Sequence, residues 1–203
     1  MTLGMDLDGC LADFNTAYIK LILEMTGVDL FPPRPFPITE WDYPEGFGYT
    51  EPQLQEVWNW IEHDPSFWRR LPVYAHAPQA LDYLLASPYH DLYFLTTRRG
   101  KHAKYQTEQW LRSLHVRLDI PTVLLSSAKG HLARGLKLDV FIDDRPENCE
   151  AVRRQSPRTR VMLFDQPWNA NAFEGESVMR ITEIPGCIER YDAVYGPPTL
   201  ESV

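Results

Sequence analysis

The chain is poor in cysteine, in positive charge and in long apolar runs. Its three cysteines, Cys10, Cys149 and Cys187, are an odd number with no C-x-x-C spacing. They cannot make a paired framework, and a reduced, cytoplasmic setting is expected. No 18-residue apolar stretch is present, so no membrane span is expected. Asp6 and Asp8 fall where a secretory leader would need its apolar core. Lys plus Arg number 20 against 28 for Asp plus Glu, a formal charge of −8. That sign repels phosphate backbones and anionic lipid at long range, so neither a nucleic-acid polymer nor a membrane surface is an expected partner. A small anionic ligand in a local site stays open. The six histidines include no i, i+4 pair and no Cys-His spacing, which excludes an ordinary zinc site. Repeats and low-complexity tracts are absent too, and nothing in the pattern specifies an oligomeric state.

What is present is an alternation. Five short β-leaning runs, Leu3–Leu7, Leu92–Thr96, Thr122–Leu125, Val140–Ile142 and Val161–Phe164, each stop at polar or small residues. Helical patterns lie between most of them. In Ala12–Met25, Phe14, Tyr18, Leu21, Ile22 and Met25 share a face, and Gly27 can end the helix. Residues 77–86 and 101–114 also read as helices, and Pro146 suits the first position of a helix over 147–155. The expectation is an α/β protein with a Rossmann-like parallel sheet and helices on both faces. Ligands in such sheets sit beyond the carboxyl ends of the strands.

Residues 31–74 break the rhythm. They carry 11 of the chain's 25 aromatics, among them Trp41, Trp58, Trp60, Phe67 and Trp68, together with Pro32, Pro33, Pro35, Pro37, Pro44 and Pro52. Prolines forbid long regular elements, and aromatics need something to cover. A small, mainly helical cap over 14–74 is expected, inserted after the first strand of a core formed by 1–13 and 75–203. Trp58 and Trp60 are read as packing of this insertion, whereas Trp41, Phe67 and Trp68 are read as base-stacking candidates.

The strongest chemical signal is Asp6-Leu7-Asp8-Gly9 after the first apolar run. At strand spacing the two carboxylates point the same way, toward the ligand end of the sheet. Like charges so close need a cation, an arginine or a lysine beside them. A second acidic doublet, Asp143-Asp144, ends the run Val140–Ile142. If the two strand ends are neighbours, the carboxylates converge on one point, and an oxygen-only donor set suits Mg²⁺. Thr96-Thr97 at another strand end offers hydroxyls to a phosphate oxygen. Lys129 offers an ammonium to a nucleophilic carboxylate and to developing phosphate charge. Lys137 lies only six residues before Asp143, too close for a helix between them, so Lys129 is the preferred lysine. Pro167-Trp168-Asn169 either lines the rim of this site or merely turns the chain. Cys10 beside the acidic strand end is a candidate for oxidative loss of activity.

D-x-D-G after strand one, a strand-ending Thr, a Lys opening a helix and a terminal D-D, in that order, resemble the four motifs of the haloacid dehalogenase phosphohydrolase superfamily. The opening Asp6–Phe14, the run Ile142–Asn148 and Phe67-Trp68-Arg69-Arg70-Leu71-Pro72 are similar to its 5′(3′)-deoxyribonucleotidase-like group. After Pro72 the group's Pro-Gly-Ala is replaced by Val73-Tyr74-Ala75-His76-Ala77-Pro78, and Thr-Thr-Arg stands where Thr-Ser or Thr-Ala is common. The resemblance implies a Mg²⁺-dependent phosphomonoesterase. Asp6 is then the nucleophile and Asp8 the acid and base. The metal is held by Asp6, the Asp8 backbone carbonyl and Asp144, with Asp143 behind them. Thr96, Thr97 and Lys129 hold the phosphate. The implied substrate is a small phosphate ester, a (deoxy)nucleoside 5′-monophosphate. The rivals are a phosphatase for phosphosugars or other metabolites, a dehalogenase, and a non-catalytic binding protein. Asp8 argues against the dehalogenase, because a departing halide needs no acid.

Overall fold

A computed structural model describes residues 1–88, 90–118, 120–172 and 178–189. Six parallel strands form one sheet: β1 (Thr2–Met5), β2 (Asp91–Thr96), β3 (Thr122–Leu125), β4 (Val140–Asp143), β5 (Arg160–Phe164) and β6 (Met179–Ile181). Their order is β3-β2-β1-β4-β5-β6. The sixth strand was not expected from sequence. It is three residues long with two of them exposed, so it carries no apolar run to read. The first strand also ends earlier than its apolar run. The Leu7 carbonyl accepts the N–H groups of Cys10, Leu11 and Ala12, which rolls 7–12 into a compact loop.

Strand alternation builds a core on each side of the sheet. Val140 and Ile142 join Leu3, Met5 and Phe94 against α4 (Ala77–Ala86) and α5 (Ala103–Leu114). Phe141, between them, faces the other way with Leu95 and Leu163, against α6 (Lys129–Leu136) and α7 (Pro146–Gln155). Gly4 permits this second layer to close, since a Cβ there would lie 2.3 Å from Leu138 Cδ1. Pro146 opens α7 as its fixed φ favours. Lys137 is the left-handed residue that ends α6, with φ 53°, and so has a backbone role.

The strand order places the site. From β1 the chain proceeds outward to β2 and β3, then returns to β4 on the other side of β1 and proceeds to β5 and β6. The β1–β4 boundary is therefore the switch point of the sheet, where a crevice opens beyond the carboxyl ends. The register pairs Met5 with both Phe94 and Ile142. Asp6, Thr96 and Asp143 thus emerge at nearly the same height.

Between Ala12 and Val73, which pair in a short antiparallel bridge, the chain leaves the sheet and comes back. The excursion contains α1 (Phe14–Thr26), α2 (Tyr43–Gly46), α3 (Glu51–His63) and a 3₁₀ turn at Trp68–Arg70. Helix α1 starts at Phe14 because the Asp13 carboxylate accepts the Thr16 N–H, a cap worth about 1 kcal/mol. Gly27, with φ 66°, ends it in the left-handed conformation. Phe14 is the hub of the excursion, with ring centroids of Tyr18, Trp41, Trp58, Phe67 and Trp68 all within 5.2–6.4 Å. The returning arm is sewn to α5: Gln106 accepts the Trp68 N–H and donates to the Asp64 carbonyl, and the Trp110 indole donates to the Leu71 carbonyl. Cys187 and Ile188 are buried in the core, and the rest of the Tyr- and Pro-containing tail, 190–203, lies outside the described residues. Among the described residues, no helix is long and apolar enough to cross a membrane.

Candidate active site

Asp6 continues β1 by one residue, its N–H donating to the Ile142 carbonyl at 2.9 Å. This fixes its carboxylate, 7% exposed, at the switch point between β1 and β4. Lys129 is fully buried and lies 2.9 Å from Asp6 and 2.7 Å from Asp143, bridging the first residue of α6 to both strand ends. Asp143 receives more than the lysine. The Arg145 N–H donates to one of its oxygens, and the Asn148 side-chain amide reaches both. Asp144 receives less. The Trp168 indole N–H donates to Oδ2 at 2.8 Å, while Oδ1 is buried without a partner.

Asp6, Asp143 and Asp144 present carboxylate oxygens that all lie within 4.8 Å of one another. One ammonium serves the three acids. Burial, the largest influence on Asp6, pushes its carboxyl up to about 7; Lys129 opposes this, and Asp143 and Asp8 add to it. Burial likewise raises Asp144 well above the carboxylate range, with Asp143 and Asp6 contributing. Burial disfavours the charge of Lys129, yet Asp143 and Asp6 outweigh it and hold the ammonium above its ordinary value. The group has unbalanced negative charge, only oxygen donors and one orphaned buried oxygen, and this fits a hard divalent cation. Gly9 makes room for the Asp144 carboxylate, since with φ 85° its missing Cβ would lie 2.3 Å from Asp144 Oδ2.

Asp8 turns from this cluster to an arginine. Arg98 donates from Nε and Nη2 to both Asp8 oxygens, at 2.8–3.2 Å. Asp6, Asp8, Thr97, Arg98 and Arg145 line one cavity of about 40 Å³, roofed by Phe14, Trp41, Trp58 and Trp68. A neighbouring cavity of about 220 Å³ shares Phe14, Trp41 and Trp58 with it and extends along α3. Thr96 is fully buried and its hydroxyl oxygen accepts the Arg98 N–H at 3.4 Å, so it shapes the loop while exposed Thr97 faces the cavity.

The aromatic expectations divide. Trp41 does line the cavity, with Arg145 4.9 Å over its ring and Trp168 against its edge. Trp68 lines it too, but its indole N–H is committed to the Arg99 carbonyl. Phe67 does not line it. The ring is buried beside Phe14 and borders a separate groove with Trp60 and Lys20, because successive residues of a 3₁₀ turn cannot face one way. Trp58, read from sequence as packing, lines both the reactive cavity and its neighbour. Cys10 is fully buried and its thiol is pushed well up by burial, with Asp144 and Asp6 adding, which makes it an inert structural thiol.

Four partners were not anticipated: Arg98, Asn148, Trp168 and Gln166. Of the alternatives left open for its segment, Trp168 turns the chain, and it is not among the residues lining the cavity. Its 3₁₀ turn bends the chain, its indole holds Asp144, and the flanking Gln166 amide donates to the Gly9 carbonyl. Arg98 carried a usable signal in a charged residue directly after a strand-ending Thr pair. Asn148 and Gln166 carried none, since each acts across a loop of ordinary polar composition.

A family model described as "5' nucleotidase, deoxy (Pyrimidine), cytosolic type C protein" matches residues 1–188. A Bacillus cereus protein described as a candidate nucleotidase is 26% identical over 159 residues, covering 75% of this chain and 80% of that protein. Among solved structures, a candidate haloacid dehalogenase-like hydrolase from Burkholderia xenovorans has a TM-score of 0.58 at 16% identity, covering 97% of this chain and 98% of that one. A haloacid dehalogenase-like family hydrolase from Xanthomonas campestris gives 0.55 at 17% identity, covering 97% of each chain. At those identities the solved structures speak for the fold alone, whereas the family match spans nearly the whole chain. The chain therefore belongs to this 5′-nucleotidase family, and its fold is that of haloacid dehalogenase-like hydrolases.

Proposed function

We propose that the chain hydrolyses (deoxy)nucleoside 5′-monophosphates through an aspartyl-phosphate on Asp6, with Mg²⁺ as its metal. Asp6, the Asp8 backbone carbonyl and Asp144 would hold the ion, with Asp143 behind them fixing Lys129. When bound, the ion supplies charge neutralisation at the phosphoryl oxygens. Asp6 attacks phosphorus in line with the ester oxygen, which leaves with a proton from Asp8. Asp8, now ionised, takes a proton from water as that water attacks the phosphoryl group on Asp6, and inorganic phosphate departs. Lys129 and Thr97 hold the non-transferred oxygens, with Thr96 shaping the turn that presents Thr97.

The observation that carries this reading is the shared wall of the two cavities. A phosphoryl group beside Asp6 can extend its organic part past Phe14, Trp41 and Trp58, toward the 220 Å³ space. Three aromatic faces there suit a flat base, and they exclude water from the phosphoenzyme. Bacterial relatives described as nucleotidases support the same substrate class.

The test is phosphate release from a panel of nucleoside 5′-monophosphates and sugar phosphates, with Mg²⁺ and with chelator. Nucleotide turnover that needs the metal is expected. Inert nucleotides beside reactive sugar phosphates would remove the substrate while leaving the chemistry, and metal-independent turnover would remove the Mg²⁺ assignment.

A further inference from the structure

We propose that Arg98 is a positioning residue that clamps Asp8, so that the return arm of the insertion and α5 together set the orientation of the acid. The inference rests on the phosphatase reading of the site and concerns a residue outside its four motifs.

Arg98 has a side chain with no exposure and one carboxylate partner among the described residues, Asp8. A buried guanidinium is costly unless it is paired, so this pairing is a condition of the fold there. Nε and Nη2 take both Asp8 oxygens in a fork, which fixes the plane of the carboxylate as well as its place. The rest of the group is held from three sides. Nη1 donates to the Thr107 hydroxyl, which itself donates to the Ala103 carbonyl in α5. The Trp68 and Trp110 rings flank the guanidinium carbon at 5.3 and 5.0 Å. Both rings are pinned by their own indole N–H groups, to the Arg99 and Leu71 carbonyls. A slot so fixed transmits the seating of the returning arm directly to Asp8.

The geometry leaves Asp8 usable. A carboxylate has about four lone-pair positions, and the fork occupies the side facing Arg98. The cavity wall that Asp8 shares with Asp6 stays free for an ester oxygen and later for water. Arg98 therefore serves the step that needs the acid, and the capture of phosphate itself rests on other groups.

The experiment compares two leaving groups. An aryl oxygen, as in p-nitrophenyl phosphate, departs with little help from an acid; an alkyl oxygen, as in a nucleoside 5′-monophosphate, needs the proton. Arg98→Gln is expected to lower kcat on the alkyl ester at least about tenfold more than on the aryl ester, with inhibition by inorganic phosphate unchanged. Arg98→Lys, which has the charge without the fork, is expected to recover only part of the difference. Thr107→Val, which loosens the clamp from behind and leaves the ion pair, is expected to show the same pattern at about two- to fivefold, and it keeps the question answerable if Arg98→Gln does not fold. Equal losses on both esters, or a loss seated in phosphate affinity, would overturn the assignment. A wild-type chain inert toward both esters would overturn the phosphatase reading and this assignment with it, a result distinct from a wrong ratio in the variants.

Discussion

The floor and the roof of the reactive cavity are held together by different forces. In the floor, Asp6, Lys129, Asp143 and Asn148 form a buried chain of charged and polar contacts at the ends of β1 and β4. In the roof, Phe14 gathers five aromatic neighbours whose contacts are dispersive and tolerant of angle, from 17° for Trp41 to 83° for Phe67. Charge–charge contacts in a buried floor are directional and fail abruptly when one member is lost. A stack of rings fails gradually, because each pair is worth only about 0.5–1.5 kcal/mol beyond its buried area. Under the proposed function the two regions would do different work: the floor would carry the reaction, and the roof selection and exclusion of water.

The floor should break first and hardest. Asp6→Asn is expected to cut kcat by about 10⁴-fold or more, since removing a nucleophile leaves only binding and electrostatic help. Stability should not fall with it. The change removes one of three crowded buried carboxylates, and Asp143 still holds Lys129 at 2.7 Å. A melting temperature in chelator at or above wild type, with phosphate release abolished, is the expected pair of results. Lys129→Met removes the cation instead and should behave in the opposite way. It leaves Asp6 and Asp143 facing each other in the interior, which costs about 3–5 kcal/mol by denaturant titration, together with activity. If the two substitutions moved stability the same way, the floor would not be the charge-balanced unit described.

How much of this was legible in the sequence follows the same division. Asp6, Lys129, Asp143 and Asp144 were readable because strand ends are readable. A β-leaning run that stops at polar or small residues places the side chains beyond it at a known height in a parallel sheet, and β1 to β5 had such runs. The short strand β6 did not, since Met179 and Arg180 are exposed and give no apolar signal. The roof was legible as a composition and not as an arrangement. Eleven aromatics among eight prolines announced a packed insertion, but which ring faces the cavity depends on local turns that no period reveals. Phe67 and Trp68 are adjacent in sequence, yet Trp68 reaches the cavity and Phe67 the outer groove. Arg98 and Trp168 act on acids 90 and 24 residues away, and such pairings appear only once the sheet is assembled.

The roof should yield moderate, substrate-dependent effects. Trp41→Ala and Trp58→Ala are each expected to raise KM for a nucleoside monophosphate by about 1–3 kcal/mol of lost stacking, while leaving kcat/KM on a small phosphate ester within about threefold. Equal loss on both substrates would make these rings structural. Trp168→Phe tests the point where floor and roof meet. The ring contact with Trp41 survives, and only the indole N–H on Asp144 Oδ2 is removed. Partners that orient a metal ligand are worth about 10–100-fold in metal affinity. The expected result is about tenfold weaker Mg²⁺ binding, read from the metal dependence of the melting temperature.

Trp60 supplies the smallest effect and the sharpest control. It lies two residues from Trp58 on α3, and composition and spacing alone treat the pair alike. In the folded chain Trp58 stacks on Phe14 at 5.8 Å with Arg99 over its ring, while Trp60 is 37% exposed and touches Phe67 only edge-on. Two positions along a helix is a rotation of about 200°, so one ring faces the cavity and the other must face away. Trp60→Ala should leave kcat and KM for every substrate at wild-type values and change stability by about 1 kcal/mol or less. A selective rise in nucleotide KM from this substitution would mean that the base approaches from the outer groove. The assignment of Trp58 and Trp41 to the substrate would then have to be exchanged for one built on Trp60, Phe67 and Lys20.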